Sequence, residues 1–234
     1  MIYAYRQNGN AGCADSKPIV KNIEVKSFTH NPPKTGQDIS KGGNMQLQDT
    51  KTLINLARSF SGEAQAGLRY QLTANIAEMQ GYKILSDEIR KIAKNEVNHA
   101  KVFFNFLTQA GEFKNITYTA GFPYYGEGIS GGLQSAVKSE NDEADLYEEF
   151  ASVAEEEGFT EIAEKFRLIA KIELRHADIF NYLSKSFTED TLYKQPKPVM
   201  WVCSECGHIE TSTEGWNVCP VCGSTQGFIE LKLK

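Results

Sequence analysis

Glu96 and His99 stand three residues apart, and so do Glu173 and His176. On an α-helix that spacing stacks the two side chains on one face, one turn apart. Each pair sits in a nearly repeated string, IAKNEVNHAKVF at 92–103 and IAKIELRHADIF at 169–180. The same offset of 77 residues relates Glu63 to Glu140 and Tyr70 to Tyr147. Four carboxylates and two imidazoles form an oxygen-rich donor set with one nitrogen per metal, which suits a pair of iron or manganese ions. Carboxylates shared between two such ions can hold them close enough to act together on one O–O bond. A second donor set lies near the C-terminus, where Cys203, Cys206, Cys219 and Cys222 form two C-x-x-C pairs separated by 12 residues. Two such knuckles build a tetrahedral four-sulfur site for zinc or for a single iron, and the spacing alone does not distinguish them.

The elements that hold these residues can be read from periodicity. Helical patterning runs over roughly 47–80, 82–110, 130–157 and 159–187, with Gly81, Gly111 and Gly158 at the reversals and one long connection over 112–131. Four helices with one long crossover predict an all-α ferritin-like bundle, and the 77-residue offset makes it two copies of one helical hairpin. The inward stripe of the second helix is Leu85, Ile89, Ile92, Glu96, His99, Phe103 and Phe106. That of the fourth is Ile162, Phe166, Ile169, Glu173, His176, Phe180 and Leu183. Leu56, Phe60, Glu63, Gly67, Tyr70 and Ala74 line the first helix, and Leu133, Val137, Glu140, Tyr147, Ala151 and Ala154 the third. Each stripe sets a carboxylate in the middle of an apolar face. A bare buried carboxylate costs several kcal/mol, so these groups are expected to be paired or metal-bound. The plainer alternative is a set of stripe-edge glutamates bridged to Lys or Arg, which four glutamates and two histidines tied to one repeat make a poor fit. Glu143 breaks the symmetry, because its counterpart is Ala66. It reads either as a solvated helix-face glutamate or as a fifth carboxylate that favours a more oxidised metal pair.

The chain has 234 residues, with 25 basic and 30 acidic side chains and a net charge of −5. That balance argues against nucleic acid as a partner, and no apolar run approaches a membrane span. Residues 1–44 hold Pro18, Pro32 and Pro33 without sustained periodicity, and predict a poorly ordered extension before a bundle over 45–187. Residues 188–198 read as a linker long enough to place a small module, 199–234, away from its own bundle. Within that module Trp201, Ile209, Trp216, Val218 and Val221 are expected to cover the sulfurs, giving a β-rich metal domain too small to fold without its ion. His30, His208 and Cys13 carry no assigned role. The N-terminus lacks a secretory pattern and the paired cysteines point to metal rather than disulfides, so the expected compartment is the cytoplasm.

Residues 45–231 resemble a rubrerythrin, a ferritin-like di-iron domain followed by a rubredoxin domain. The motifs are SFSGEAQAGLRY, NEVNHA, SENDE followed by LY, IELRHA and the paired C-x-x-C. The resemblance implies two non-haem irons in the bundle and one iron on the four cysteines. It makes Glu96 and Glu173 bridging carboxylates, Glu63 and Glu140 terminal ones, and His176 a permanent ligand. His99 and Glu143 become a pair that exchanges at one iron, histidine on the reduced ion and glutamate on the oxidised one, with Tyr70 and Tyr147 nearby. One departure stands out: the tyrosine of the third helix lies one residue closer to the E-x-x-E pair than in the family. An extra helical residue often marks a π-bulge, so its loss bears on the aim of Glu143, with Asp142 as the neighbour that a slipped register would substitute.

The expected function is a peroxidase in oxidative-stress defence that reduces hydrogen peroxide with electrons passed through the iron–sulfur module. The resemblance supplies an NAD(P)H-dependent reductase or a rubredoxin as donor and a head-to-tail homodimer, and the chain is read as having no G-x-G-x-x-G fingerprint of its own, so no nucleotide site is expected in it. Rival readings are a ferroxidase or iron store, an oxygen-reducing or manganese catalase-like enzyme, and a di-metal protein with a structural zinc ribbon.

Overall fold

The computed structural model describes residues 41–42, 45–109, 115–123 and 128–232. The extension expected over 1–44 lies outside them apart from Lys41–Gly42 (β1), which pairs antiparallel with Met45–Gln46 (β2). His30 and Cys13 fall outside as well.

Four long helices follow: α1 (Lys51–Met79), α2 (Lys83–Gln109), α3 (Gly128–Glu156) and α4 (Thr160–Thr188). The repeat is visible in the turns. Gly81 and Gly158 end α1 and α3 in the left-handed region at φ +81° and +86°, which glycine adopts without steric cost. Tyr82 N–H donates to Ala77 O at 2.8 Å, and Phe159 N–H to Ala154 O at 2.7 Å, so both hairpins close with one hydrogen-bond pattern. Each closure also carries an ion pair, Arg90 with Glu78 and Arg167 with Glu155. The hairpins are joined at one end by Glu157. Its carboxylate accepts from the backbone N–H of Lys51 at 3.0 Å and of Thr52 at 2.9 Å, satisfying free donors at the positive end of α1.

All seven stripe residues named for α2, and all seven for α4, are buried. Phe60 and Val137 are only partly so. Two apolar clusters result. One holds Leu56, Phe103, Tyr147, Phe150 and Phe166, and the other Tyr70, Leu85, Ile89, Leu133 and Phe180. The helices carry the carboxylates through the layer between them. α3 is α-helical throughout, without a π turn, as the shortened spacing before Tyr147 allows.

The C-terminal module is an antiparallel sheet in the order β4-β3-β5, from Lys194–Cys203 (β3), Ile209–Glu214 (β4) and Ile229–Lys232 (β5). Here the structure departs from the expected linker: α4 reaches Thr188 and β3 begins at Lys194. The prolines that suggested a linker, Pro196 and Pro198, sit where the β3–β4 register shifts, between Lys194 and Val199. β5 pairs only with Met200–Cys203, so no ladder bond on that side is asked of a proline. Nor does the module stand off from its own bundle. Trp201 and Ile229, both fully buried, join the cluster of Ala77, Ile84, Leu85 and Leu183 at the bundle end, and Lys83 pairs with Glu230 at 3.3 Å. The approach is closest at Gly227, where a Cβ would fall 1.9 Å from Gly81 O. A Gly227→Ala variant should therefore lose about 1–3 kcal/mol of stability. Amides of β5 and of the first turn of α2 should exchange faster, measured by hydrogen exchange; unchanged protection there would mean the contact is not tight.

Candidate metal centre

Four helices each deliver one carboxylate to the middle layer. Glu63, Glu96, Glu140 and Glu173 are fully buried, and His99 and His176 are 7% and 2% exposed. The donors fall into two groups, Glu63, Glu96, His99 and Glu173, and Glu96, Glu140, Glu173 and His176, each with its ligand atoms within 4.8 Å of one another. Glu96 and Glu173 belong to both. The oxygens divide accordingly. His99 Nδ1 lies 2.9 Å from Glu173 Oε1 and 3.6 Å from Glu96 Oε2, and His176 Nδ1 lies 2.9 Å from Glu173 Oε2 and from Glu96 Oε1. Each shared carboxylate thus offers one oxygen to each group. Glu63 Oε2 completes the first at 3.5 Å from His99 Nδ1, and Glu140 Oε2 the second at 3.4 Å from His176 Nδ1.

The phenols cross between the halves of the repeat. Tyr70 donates to Glu140, and Tyr147 donates to Glu63 Oε1 at 2.6 Å. Burial, reinforced by the carboxylate each one faces, raises both phenol pKa values well above normal, so both remain donors. Glu63 and Glu140 therefore each have one oxygen held by a phenol. Glu63 Oε2 and Glu140 Oε2, like both oxygens of Glu96, have no hydrogen-bond partner. Buried acceptors are seldom left so, and here they converge with imidazole nitrogens at coordination spacing. The donor set fits two ions of the iron or manganese class.

Electrostatics reinforces that fit. Burial raises the pKa of Glu63 and Glu140 well above normal. Burial would also raise Glu96, but the nearby His176 and His99 imidazoles hold it down at about 2. Burial alone would lower the histidines, but the carboxylates around them, led by Glu173 at His99 and by Glu140 at His176, raise them to about 12 and 11. Without metal, protons on the two imidazoles offset part of the carboxylate charge.

Glu143 lies beside the first group without belonging to it. Its Oε1 is 3.2 Å from where a Gly62 Cβ would stand, so a side chain there would crowd it. Burial, then the charges of Glu173 and Glu96, raises its pKa to about 8 against the opposing pull of Arg69 and His99. It faces a cavity of about 220 Å³ bordered also by Arg58, Gly62, Arg69, Phe122 and Tyr147. Asp142, the alternative under a slipped register, is exposed and paired with Lys138.

Each C-x-x-C knuckle is followed by a left-handed glycine, Gly207 at φ +74° and Gly223 at +76°. The four sulfurs form the remaining donor group, with Cys203 and Cys222 Sγ at 3.7 Å and Cys206 and Cys219 Sγ at 3.7 Å. Cys203 and Cys219 are buried, and Cys206 and Cys222 exposed. The expected apolar cover is only partial. Trp201 is buried, whereas Ile209, Val218 and Val221 are 55%, 58% and 67% exposed, because so small a module has one core-facing side and spends it on the bundle. His208 packs near the Trp216 ring, 5.0 Å between centroids, and takes no part in the sulfur group.

Three residues that matter here carried little sequence signal: Gly62, Arg69 and Asn95. The last has its carboxamide nitrogen 3.2 Å from His176 Nε2. Its one signal was a break in the repeat, where the related residue is Ile172. Conversely, Gly126, Gly128 and Gly131 do have the G-x-G-x-x-G spacing of a nucleotide loop. Gly128 and Gly131 belong to α3 of the bundle, and among the described residues no strand lies between α2 and α3, as the βαβ unit of such a site would require.

Metal loading should displace the imidazole protons, because a ligating nitrogen must be free. Ferrous binding measured by calorimetry in buffers of different ionisation enthalpy should release protons and tighten as pH rises. Affinity independent of pH between 6 and 8 would contradict this charge balance.

The comparisons agree with the geometry. The rubrerythrin family model matches residues 55–125 and 132–206. The chain is 37% identical over 187 residues to a rubrerythrin of Clostridium perfringens, covering 79% of this chain and 96% of that one. It is 36% identical over 192 residues to a rubrerythrin of Porphyromonas gingivalis, covering 80% and 92%. A mixed-valence structure of nigerythrin superposes with a TM-score of 0.53 at 21% identity, over 86% of this chain and 96% of that one, a likeness of fold. Proteins of this family are di-iron oxidoreductases, and the bundle and sulfur groups described above are the di-iron and rubredoxin-type iron sites. By its ligand layer, its four-sulfur module and these matches, the chain belongs to the rubrerythrin family.

Proposed function

We propose that this chain is a non-haem di-iron peroxidase that reduces hydrogen peroxide to water in oxidative-stress defence, with electrons arriving through the four-cysteine iron. The observation that carries the reading is the pair of donor groups sharing Glu96 and Glu173, on one chain with a four-sulfur group. Hydrogen peroxide takes two electrons and two protons, its O–O bond breaks, and two waters form. Bound ferrous ions supply those electrons. The roles that the family resemblance gives these residues are compatible with the layer. With two ions bound, Glu96 and Glu173 would bridge them, Glu63 and Glu140 would each hold one, and His176 would be the permanent histidine. His99 and Glu143 exchange on the side where the cavity opens. Glu143, with a pKa near 8, keeps a proton at neutral pH beside that cavity, and the Tyr70 and Tyr147 hydroxyls hold the terminal carboxylates in place.

The same reading makes the bundle, residues 45–187, and the module, 199–234, two functional domains, and the molecule a head-to-tail homodimer. The module rests by Tyr82 and Lys83, about 20 Å along α2 from Glu96 at 1.5 Å per residue. A partner whose module meets the opposite side of the bundle shortens the electron path. The exposed Cys206 and Cys222 are the natural entry for electrons from an NAD(P)H-dependent reductase or a rubredoxin. A cytoplasmic setting belongs to this reading, since free thiols spaced for metal need a reducing compartment. Among the described residues no helix is long and apolar enough to cross a membrane.

Three outcomes are expected. In anaerobic stopped-flow on the reduced, iron-loaded protein, the sulfur-to-iron colour should return quickly with hydrogen peroxide and slowly with dioxygen; the reverse order makes the protein an oxidase. Glu143→Ala should slow peroxide turnover about tenfold or more with iron content unchanged, and unchanged turnover removes the exchange role. Sedimentation should find the active species dimeric, and an active monomer would exclude the head-to-tail arrangement.

A further inference from the structure

The two halves of the repeat place nearly identical histidines in the metal layer, yet their far ring edges meet different surroundings. Both rings turn Nδ1 to the carboxylates. When Nδ1 ligates, Nε2 carries the proton, and a partner for that N–H fixes the tautomer and the ring plane. His176 has such a partner. Asn95, one residue before Glu96 on α2, reaches across to α4 and sets its carboxamide 3.2 Å from Nε2. A half-turn of the amide presents its oxygen to the Nε2–H. His99 has no equivalent. The repeat-related position holds Ile172, which has neither donor nor acceptor in its side chain, and no side chain among the described residues bonds His99 Nε2. The His99 side chain is also the more exposed, 9% against 2%.

This break in the repeat coincides with the other one. The spare carboxylate, Glu143, reaches Gly62, the neighbour of Glu63 in the His99 group, and its counterpart in the repeat, Ala66, offers only a methyl group. One side thus has a clamp and no substitute ligand, and the other a substitute ligand and no clamp. We propose that Asn95 is a positioning residue that makes His176 the fixed histidine of the centre, and that Ile172 in the related place leaves His99 free to give way to Glu143. The inference rests on the exchange reading above and assigns the residues that decide which histidine takes part.

The test uses the full-length, iron-loaded protein and a readout other than turnover. Proton NMR of the diferrous state resolves histidine ring N–H resonances shifted by the metal, and their exchange with solvent can be timed. The His176 N–H should exchange at least about tenfold more slowly than that of His99, the factor one hydrogen bond gives. Asn95→Ala should abolish that difference, and Asn95→Asp, which keeps an acceptor at the same reach, should restore it. Ile172→Asn should slow the His99 N–H and, in crystals of the oxidised protein, hold His99 in its group. Equal rates in the unaltered protein, or a ratio unmoved by Asn95→Ala, would overturn the proposal. So would oxidised Ile172→Asn crystals in which His99 still leaves, the exchange reading then standing without it. If His99 stays in its group in both oxidation states of the unaltered protein, the exchange reading fails and this inference with it.

Discussion

Four carboxylates are held in a layer from which water is excluded, and the rest of the molecule is arranged around their charge. In a low dielectric, like charges at a few ångströms repel by several kcal/mol, and each isolated carboxylate carries a desolvation penalty of similar size. Two imidazoles meet that demand with protons when no metal is bound, and with lone pairs when one is. The phenols each satisfy one oxygen of an unshared glutamate, Glu140 or Glu63, and leave the other without a hydrogen bond. The apolar clusters above and below keep solvent from dispersing the layer. A metal pair is the neutralising partner for which this spacing of oxygens and nitrogens is suited.

The layer was legible in the sequence because helical geometry is strict. Once E-x-x-H recurs at a fixed offset on apolar stripes, the face, the depth and the pairing of helices follow, and Glu63, Glu96, His99, Glu140, Glu173 and His176 do converge. The cysteine knuckles were legible for the same reason, since C-x-x-C closes a turn whatever surrounds it. Docking of the module was not. Pro196 and Pro198 in a charged stretch read as a linker, whereas the contact that seats the module depends on shape, with Gly227 against Gly81 and Trp201 in the apolar cluster at the bundle end. Side chains that act at one remove were also silent. Gly62 matters because Glu143 needs its space, and Asn95 because His176 presents its far edge there; neither reason is written in local pattern.

Symmetry and its violations have separate roles. The matching turns at Gly81 and Gly158, the ion pairs Arg90–Glu78 and Arg167–Glu155, and the crossed phenols are what the two copies share, and they build the frame. The differences, Glu143 against Ala66 and Asn95 against Ile172, gather around the ligands. A perfectly two-fold centre would treat both metals alike. These substitutions give the two positions unlike surroundings without disturbing the helices that carry them.

The membership of the two donor groups also bears on how such a centre could arise. Each group takes three residues from one hairpin and a single carboxylate from the other: Glu63, Glu96 and His99 with Glu173, then Glu140, Glu173 and His176 with Glu96. Neither hairpin alone completes a group, but two copies of one hairpin related by a two-fold axis would complete both. A short ancestral gene encoding a single helical pair could therefore have made this centre as a self-associating dimer. Duplication and fusion through the long crossover then freed each half to mutate independently, and unlike metal positions became available to selection.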